Sequence, residues 1–169
     1  MKHLKRFNEG VTQEDLQDFC ESSLAYLMDE SFNVTIRGGD DPRARATTGQ
    51  FGIFLAKNNG REFFKWDDVK DYYIPFLQLL SNRYDIGTFF DGDVDSREPS
   101  VRFRYRQKND YSFVNVSKNF SYARVINDDV FDSEGYWKDH IYYKWTPDPD
   151  LISIGVIIKV KKNQVKLDI

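Results

Sequence analysis

The spacing of apolar residues changes near the start of the chain, and that change limits the fold more than any other feature. Leu16, Phe19, Cys20, Ser23, Leu24 and Leu27 recur at helical spacing, which predicts one helix running through about Asp29. Thr12 supplies a capping hydroxyl for it, and Gln13, Glu14 and Asp15 form a first turn whose carboxylates suit the helix dipole. From Phe32 the period drops to two. Phe32, Val34 and Ile36 alternate with Asn33, Thr35 and Arg37, the pattern of a half-buried strand. A helix with one apolar stripe and a strand with one apolar face must bury them against each other, which implies a layered domain of mixed class.

The rest of the chain extends that layer. Gly38 to Gln50 holds turn formers and no apolar periodicity, so it reads as a long hairpin loop, and Phe51 to Lys57 returns antiparallel before the Asn59-Gly60 turn signal. A second helix starts at Trp66 with Asp67 and Asp68 in its first turn. It carries Val69, Tyr73, Phe76, Leu77, Leu80 and Tyr84 on one face, with a kink or a local break expected at Pro75. Val101, Phe103 and Tyr105 alternate with Arg102, Arg104 and Arg106 in a further strand. Phe113 to Ser117 and Phe120 to Ile126 read as a hairpin turning at Lys118-Asn119.

Asn127 to Asp150 mixes acids with aromatics and reads as a packed irregular insert with room for one short helix. Leu151 to Lys161 is apolar on both faces at Ile157, as a central strand would be, and the polar tail from Lys162 is expected to fray. The expected fold is α+β: two helices on one face of a mostly antiparallel sheet, in the order α-β-β-α-β-β-β-β. Residues 11–169 form one domain and residues 1–10 a leader peptide or flexible arm.

Composition excludes several classes. The 169 residues suffice for a core without disulfides, and Cys20, the only cysteine, allows no internal one. A net charge of −3 with 30% charged residues argues against a globally basic nucleic-acid binder and against a highly acidic one. No apolar run is long enough for a membrane span, so no membrane partner is expected. The glycosylation-type triplets at Asn33, Asn115 and Asn119 are read as chance.

Sites for chemistry are few. Asp91, Asp93 and Asp95 have the alternate spacing of a calcium loop, but Ser96 stands where its glycine belongs and Arg102 where its glutamate belongs, so a solvated acidic turn explains them better. Arg102, Arg104 and Arg106, with Lys108 beyond and Tyr105 and Tyr111 nearby, could track a phosphate backbone. The simpler reading is the polar face of a strand paired with neighbouring acids. Tyr136, Trp137, Tyr142, Tyr143 and Trp145 are residue types that anchor interfaces, and they serve equally as a small second core. Cys20 lies on an apolar helix face, while His3 and His140 have no nucleophile at a useful spacing. Nothing here makes an acid–base pair, so the chain leans away from being an enzyme, and no cofactor is expected.

The first ten residues, MKHLKRFNEG, are basic and end in Phe7-Asn8-Glu9-Gly10. This stretch resembles the capsid-targeting peptide of T-even-type phage internal head proteins, and the chain as a whole resembles small proteins of large tailed phages. The resemblance implies that the leader engages a prohead scaffold, and that a prohead protease cuts after Glu9 with Phe7 as recognition residue and Gly10 as the new N-terminus. Members more often carry Leu or Ile where this chain has Phe7. The function implied is a non-enzymatic protein packaged in the virion head and delivered to a host target, located in the virion or the host cytoplasm. The alternatives are a cytosolic module that binds a host protein, or a nucleic-acid binder working through Arg102, Arg104 and Arg106.

Overall fold

The computed structural model describes residues 13–38, 50–89, 98–108, 112–131, 135–144 and 148–160. Among them, helices α1 (Gln13–Ser23) and α2 (Ala25–Asp29) precede strands β1 (Phe32–Gly38) and β2 (Gln50–Lys57). A single 3-10 turn at Asn58–Gly60 leads to helix α3 (Trp66–Arg83) and the short strand β3 (Tyr84–Ile86). Then come β4 (Ser100–Lys108), β5 (Phe113–Ser121), helix α4 (Tyr122–Ile126), β6 (Gly135–Lys138), β7 (Ile141–Lys144) and β8 (Asp150–Val160). The class is α+β, as the sequence implies.

The main sheet runs β1-β2-β8-β4-β5, with β3 pairing the far half of β8, and its pairings are all antiparallel. β8 is central because Leu151, Ile154, Val156 and Ile158 bury one face completely while Ile157 is half-buried on the other. Helices α1, α2 and α3 lie on one side only. Leu16, Leu24, Val69, Tyr73, Phe76 and Leu80 join Val34, Ile53, Leu55, Phe103, Ile154 and Val156 in one core. Packing one amphipathic layer on one sheet face leaves the sheet's other face without a helix among the described residues.

Several local expectations change. The first helix bends at Leu24 (φ −113°), although Leu24 N–H still bonds Cys20 O at 3.0 Å and Met28 N–H bonds Leu24 O at 3.0 Å. The bend keeps Leu24 and Leu27 both buried against the sheet. Pro75 does not break α3 into two elements. It sits on the exposed face, as does Asp71 four residues earlier, so the carbonyl that loses its partner is open to solvent.

No hairpin turns at Lys118-Asn119, because β5 passes straight through to Ser121. Asn119 is only 6% exposed and its Oδ1 accepts from Arg102 Nε at 3.0 Å, so a neighbouring strand satisfies the amide that would otherwise favour a turn. Of the expected second hairpin arm, Phe120 and Ser121 continue β5 and Tyr122–Ile126 form α4, capped by Ser121 Oγ, which accepts from Arg124 N at 3.3 Å.

The supposedly irregular insert contains the two-stranded β6–β7 hairpin. Its turn residues Asp139 (φ 50°) and His140 (φ 65°) both adopt the positive φ that a tight hairpin turn requires. Asp128 ties this region to α3: its carboxylate accepts from Trp66 Nε1 at 2.6 Å and from Lys70 Nζ at 3.0 Å. Thr12, the loop residues 39–49 and the tail from residue 161 lie outside the described residues.

Candidate functional site

The helix-free face of the sheet collects residues from five strands into cross-strand rows. One row runs Thr35, Phe54, Gly155, Arg102, Asn119, and the next runs Asn33, Ala56, Ser153, Arg104, Ser117. Arg37 stands opposite Gly52 at one end of the face, and Arg106 stands beside Asp150 at the other. Successive arginines on β4 are two residues apart, about 7 Å along the strand, which is the scale on which phosphates follow one another in an extended single strand.

Phe54 lies flat on this face. A Cβ built on Gly52 would meet its Cε2 at 2.8 Å, and one built on Gly155 would meet its Cε1 at 2.6 Å, so the ring rests across both glycines. Isolated glycines inside strands mark such close approaches. Phe89 folds onto the same row from the β3–β4 connection, held by its N–H to Ser100 Oγ at 3.0 Å, and comes within 3.6 Å of a Cβ on Gly155. The Arg102 guanidinium stacks over Phe89 at 4.2 Å, while Arg37 reaches over Phe54 at 5.7 Å. Rings and guanidinium groups thus alternate across the sheet.

The charges separate by layer. Among the described strand residues, Arg37, Arg102, Arg104, Arg106 and Lys159 share the helix-free face with Asp85 and Asp150 alone of the carboxylates. Helices α1, α2 and α3 together carry eight carboxylates against Lys70 and Arg83. The net charge of −3 therefore averages an acidic helical layer with a basic sheet face.

The arginines differ in freedom. Arg106 is committed: Nη2 pairs with Asp150 Oδ2 at 2.7 Å, and the guanidinium sits between Phe63 at 4.5 Å and Phe113 at 4.2 Å. Lys65 Nζ holds the other oxygen of Asp150 at 2.8 Å, and hydrogen bonds from Lys65 and then Arg106 keep this carboxyl below its ordinary range, against some desolvation. Acid pairing, expected for the whole arginine stripe, is thus realised at Arg106. Arg102 is half-buried, and burial, then the charge of Arg104, lower its proton affinity. Arg104 is exposed and makes no ion pair among the described residues. An anion set between Arg102 and Arg104 would relieve their mutual repulsion.

The remaining candidates are less informative. Cys20 is fully buried and burial pushes its thiol up to about 12, which removes it as a nucleophile at neutral pH. His140 is an exposed turn residue. The register sets Tyr136 opposite Tyr143 and Trp137 opposite Tyr142. Trp145, Asp91, Asp93, Asp95 and the leader residues Phe7, Glu9 and Gly10 lie outside the described residues, and Lys108 ends β4. Among the described residues no cluster of His, Cys, Asp or Glu could hold a metal, and no helix is long and apolar enough to cross a membrane.

The sequence marked the arginine stripe but not Phe54, Phe89 or Arg37. Gly52 and Gly155, lone glycines inside apolar strands, were the available signal. Comparisons with protein-family models, curated proteins and solved structures found no match to this chain.

Proposed function

We propose that this chain is a non-enzymatic binding protein that takes single-stranded nucleic acid on the helix-free face of its sheet. The observation that carries the reading is the Phe54 ring lying flat across Gly52 and Gly155, in the same cross-strand row as Arg102 and among five cations. A ring laid against a sheet offers its outer face for a base to stack on, and flanking arginines meet the phosphates without reading sequence. Duplex DNA suits this flat surface less well, because no described helix projects from it into a groove.

The test is fluorescence anisotropy with a labelled oligothymidylate across a salt series. Neutralising about four phosphates gives a slope of log K against log salt of about −3, and removing one contact by Arg104→Ala should make it shallower by about 0.7. Binding that ignores salt, or that is unchanged when Arg37 and Arg104 are both replaced by alanine, refutes the proposal. Saturable binding of a host protein to this face, with no affinity for the oligonucleotide, would favour the protein-binding alternative instead.

Where the chain acts is a separate proposal that rests on the leader sequence MKHLKRFNEG. In it, residues 1–10 carry the protein into a phage head through the prohead scaffold. Intact mass measured on protein from purified virions should then correspond to a chain beginning at Gly10. Absence of the protein from virions would reject the address without touching the binding reading.

A further inference from the structure

The sheet ends in β1 on one side and β5 on the other, and the two edges are treated differently. On β1, Val34 O accepts from Gln17 Nε2 at 3.0 Å and Ile36 O accepts from Gln13 Nε2 at 3.1 Å, so side chains of α1 occupy two of the outward carbonyls. On β5, Phe113 is 50% and Val114 39% exposed, Asn115 and Ser117 are exposed, and no other strand pairs with this edge among the described residues.

The phase of the ladder fixes which backbone groups of β5 face outward. Tyr122 N–H bonds Pro99 O at 2.8 Å, while Ser100 N–H turns the opposite way to Gly87 O at 3.0 Å. Antiparallel alternation then directs Val114, Val116, Lys118 and Phe120 toward β4. The N–H and C=O groups of Phe113, Asn115 and Ser117 point away from the sheet. A row of such groups is a template for another strand.

We propose that this strand is β5 of a second copy, paired antiparallel across a two-fold axis. Every outward group belongs to an odd-numbered residue, so pairing sets odd opposite odd. Residues of one parity share one face of the sheet, and the two copies therefore join with their helices on one side and their basic faces on the other. A register centred on Asn115 places Val114 opposite Val116 of the second copy and Phe113 opposite Ser117. Asn115 then faces its own counterpart. Lys118 is the only charged residue in β5, and this register holds it away from its own counterpart, so no like charges meet. The strand thus complements itself, which favours a second copy over an unrelated peptide. The pairing does not rest on nucleic-acid binding. Only its consequence does, namely that two half-platforms become one surface.

Sedimentation of the full chain without nucleic acid tests this. The mass should rise with concentration from 20.0 kDa toward twice that value. Asn115→Pro should hold it at the monomer, because the N–H it removes faces outward and the β4 ladder is untouched, so circular dichroism stays the same. Asn115→Cys should form a disulfide-linked dimer on mild oxidation, since facing Cα atoms in a hydrogen-bonded pair lie about 5.5 Å apart, within disulfide reach. The wild type, with only buried Cys20, should not cross-link. A wild type that stays monomeric at the highest soluble concentration overturns the proposal, whether or not it captures an unrelated extended peptide, and so does an Asn115→Pro chain that dimerises normally. A dimer that ignores oligonucleotide leaves the pairing intact and removes only the function proposed above.

Discussion

Replacing Phe103 by alanine is expected to cost about 3–5 kcal/mol of stability, the range for deleting a fully buried phenylalanine. The residue is 0% exposed and its ring is the hub of an aromatic cluster. It meets Trp66 at 5.4 Å, Phe120 at 5.5 Å and Phe131 at 5.5 Å, each edge-on. Phe131 also reaches Tyr105 at 5.2 Å and Phe120 at 5.0 Å, so its loosening would spread across β4, β5 and the residues after α4. Edge-on aromatic pairs add about 0.5–1.5 kcal/mol beyond their buried area, which places the cost toward the top of the range. Since a domain has a total of about 5–15 kcal/mol, the variant should be close to unfolding at room temperature. Urea titration followed by tryptophan fluorescence measures it directly. Phe63→Ala, at an exposed ring, serves as the control. A loss below about 1 kcal/mol at Phe103 would mean that the cluster is not the centre of the core.

The largest effect on binding is expected at Phe54. Phe54→Ala removes the stacking surface and should weaken oligothymidylate binding by about 1–3 kcal/mol, or roughly 5- to 150-fold, with little change in the salt slope. Gly155→Val tests the pose rather than the presence of the ring. Its Cβ would stand 2.6 Å from Phe54 Cε1 and 2.7 Å from Cδ1, so the ring must lift off the sheet although the phenylalanine remains. Both variants should lose affinity together in the same anisotropy titration. Affinity unchanged in both would remove the platform from the account, and loss in Phe54→Ala alone would show that the ring works in more than one pose.

Much of the fold was legible because its signals are local. The alternation in β1 and β4, the stripe of α3 and the two-sided apolar run of β8 each specify a face within a few residues, and each element formed where those residues stand. What failed depended on distant partners. Lys118-Asn119 looks like a turn until Arg102 on the neighbouring strand satisfies the amide. The Asp139-His140 turn is a weak signal for the positive φ angles it adopts, so the hairpin around it was not foreseen. The site divides in the same way. Arg102, Arg104 and Arg106 announce themselves by alternation, whereas the pose of Phe54 needs Gly155 from the other end of the chain. The acidic helical layer also hid the basic face from any argument based on net charge.

The two glutamines on α1 decide how far any assembly can grow. A sheet with two open edges can add neighbours at both ends indefinitely, which is the geometry of a fibre. With Gln13 and Gln17 bonded to Ile36 and Val34, two carbonyls of the β1 edge are already taken, and a two-fold contact would consume the β5 edge. In the proposed pairing, association through β5 would stop at two copies, with the glutamines of the first helix standing against growth from β1.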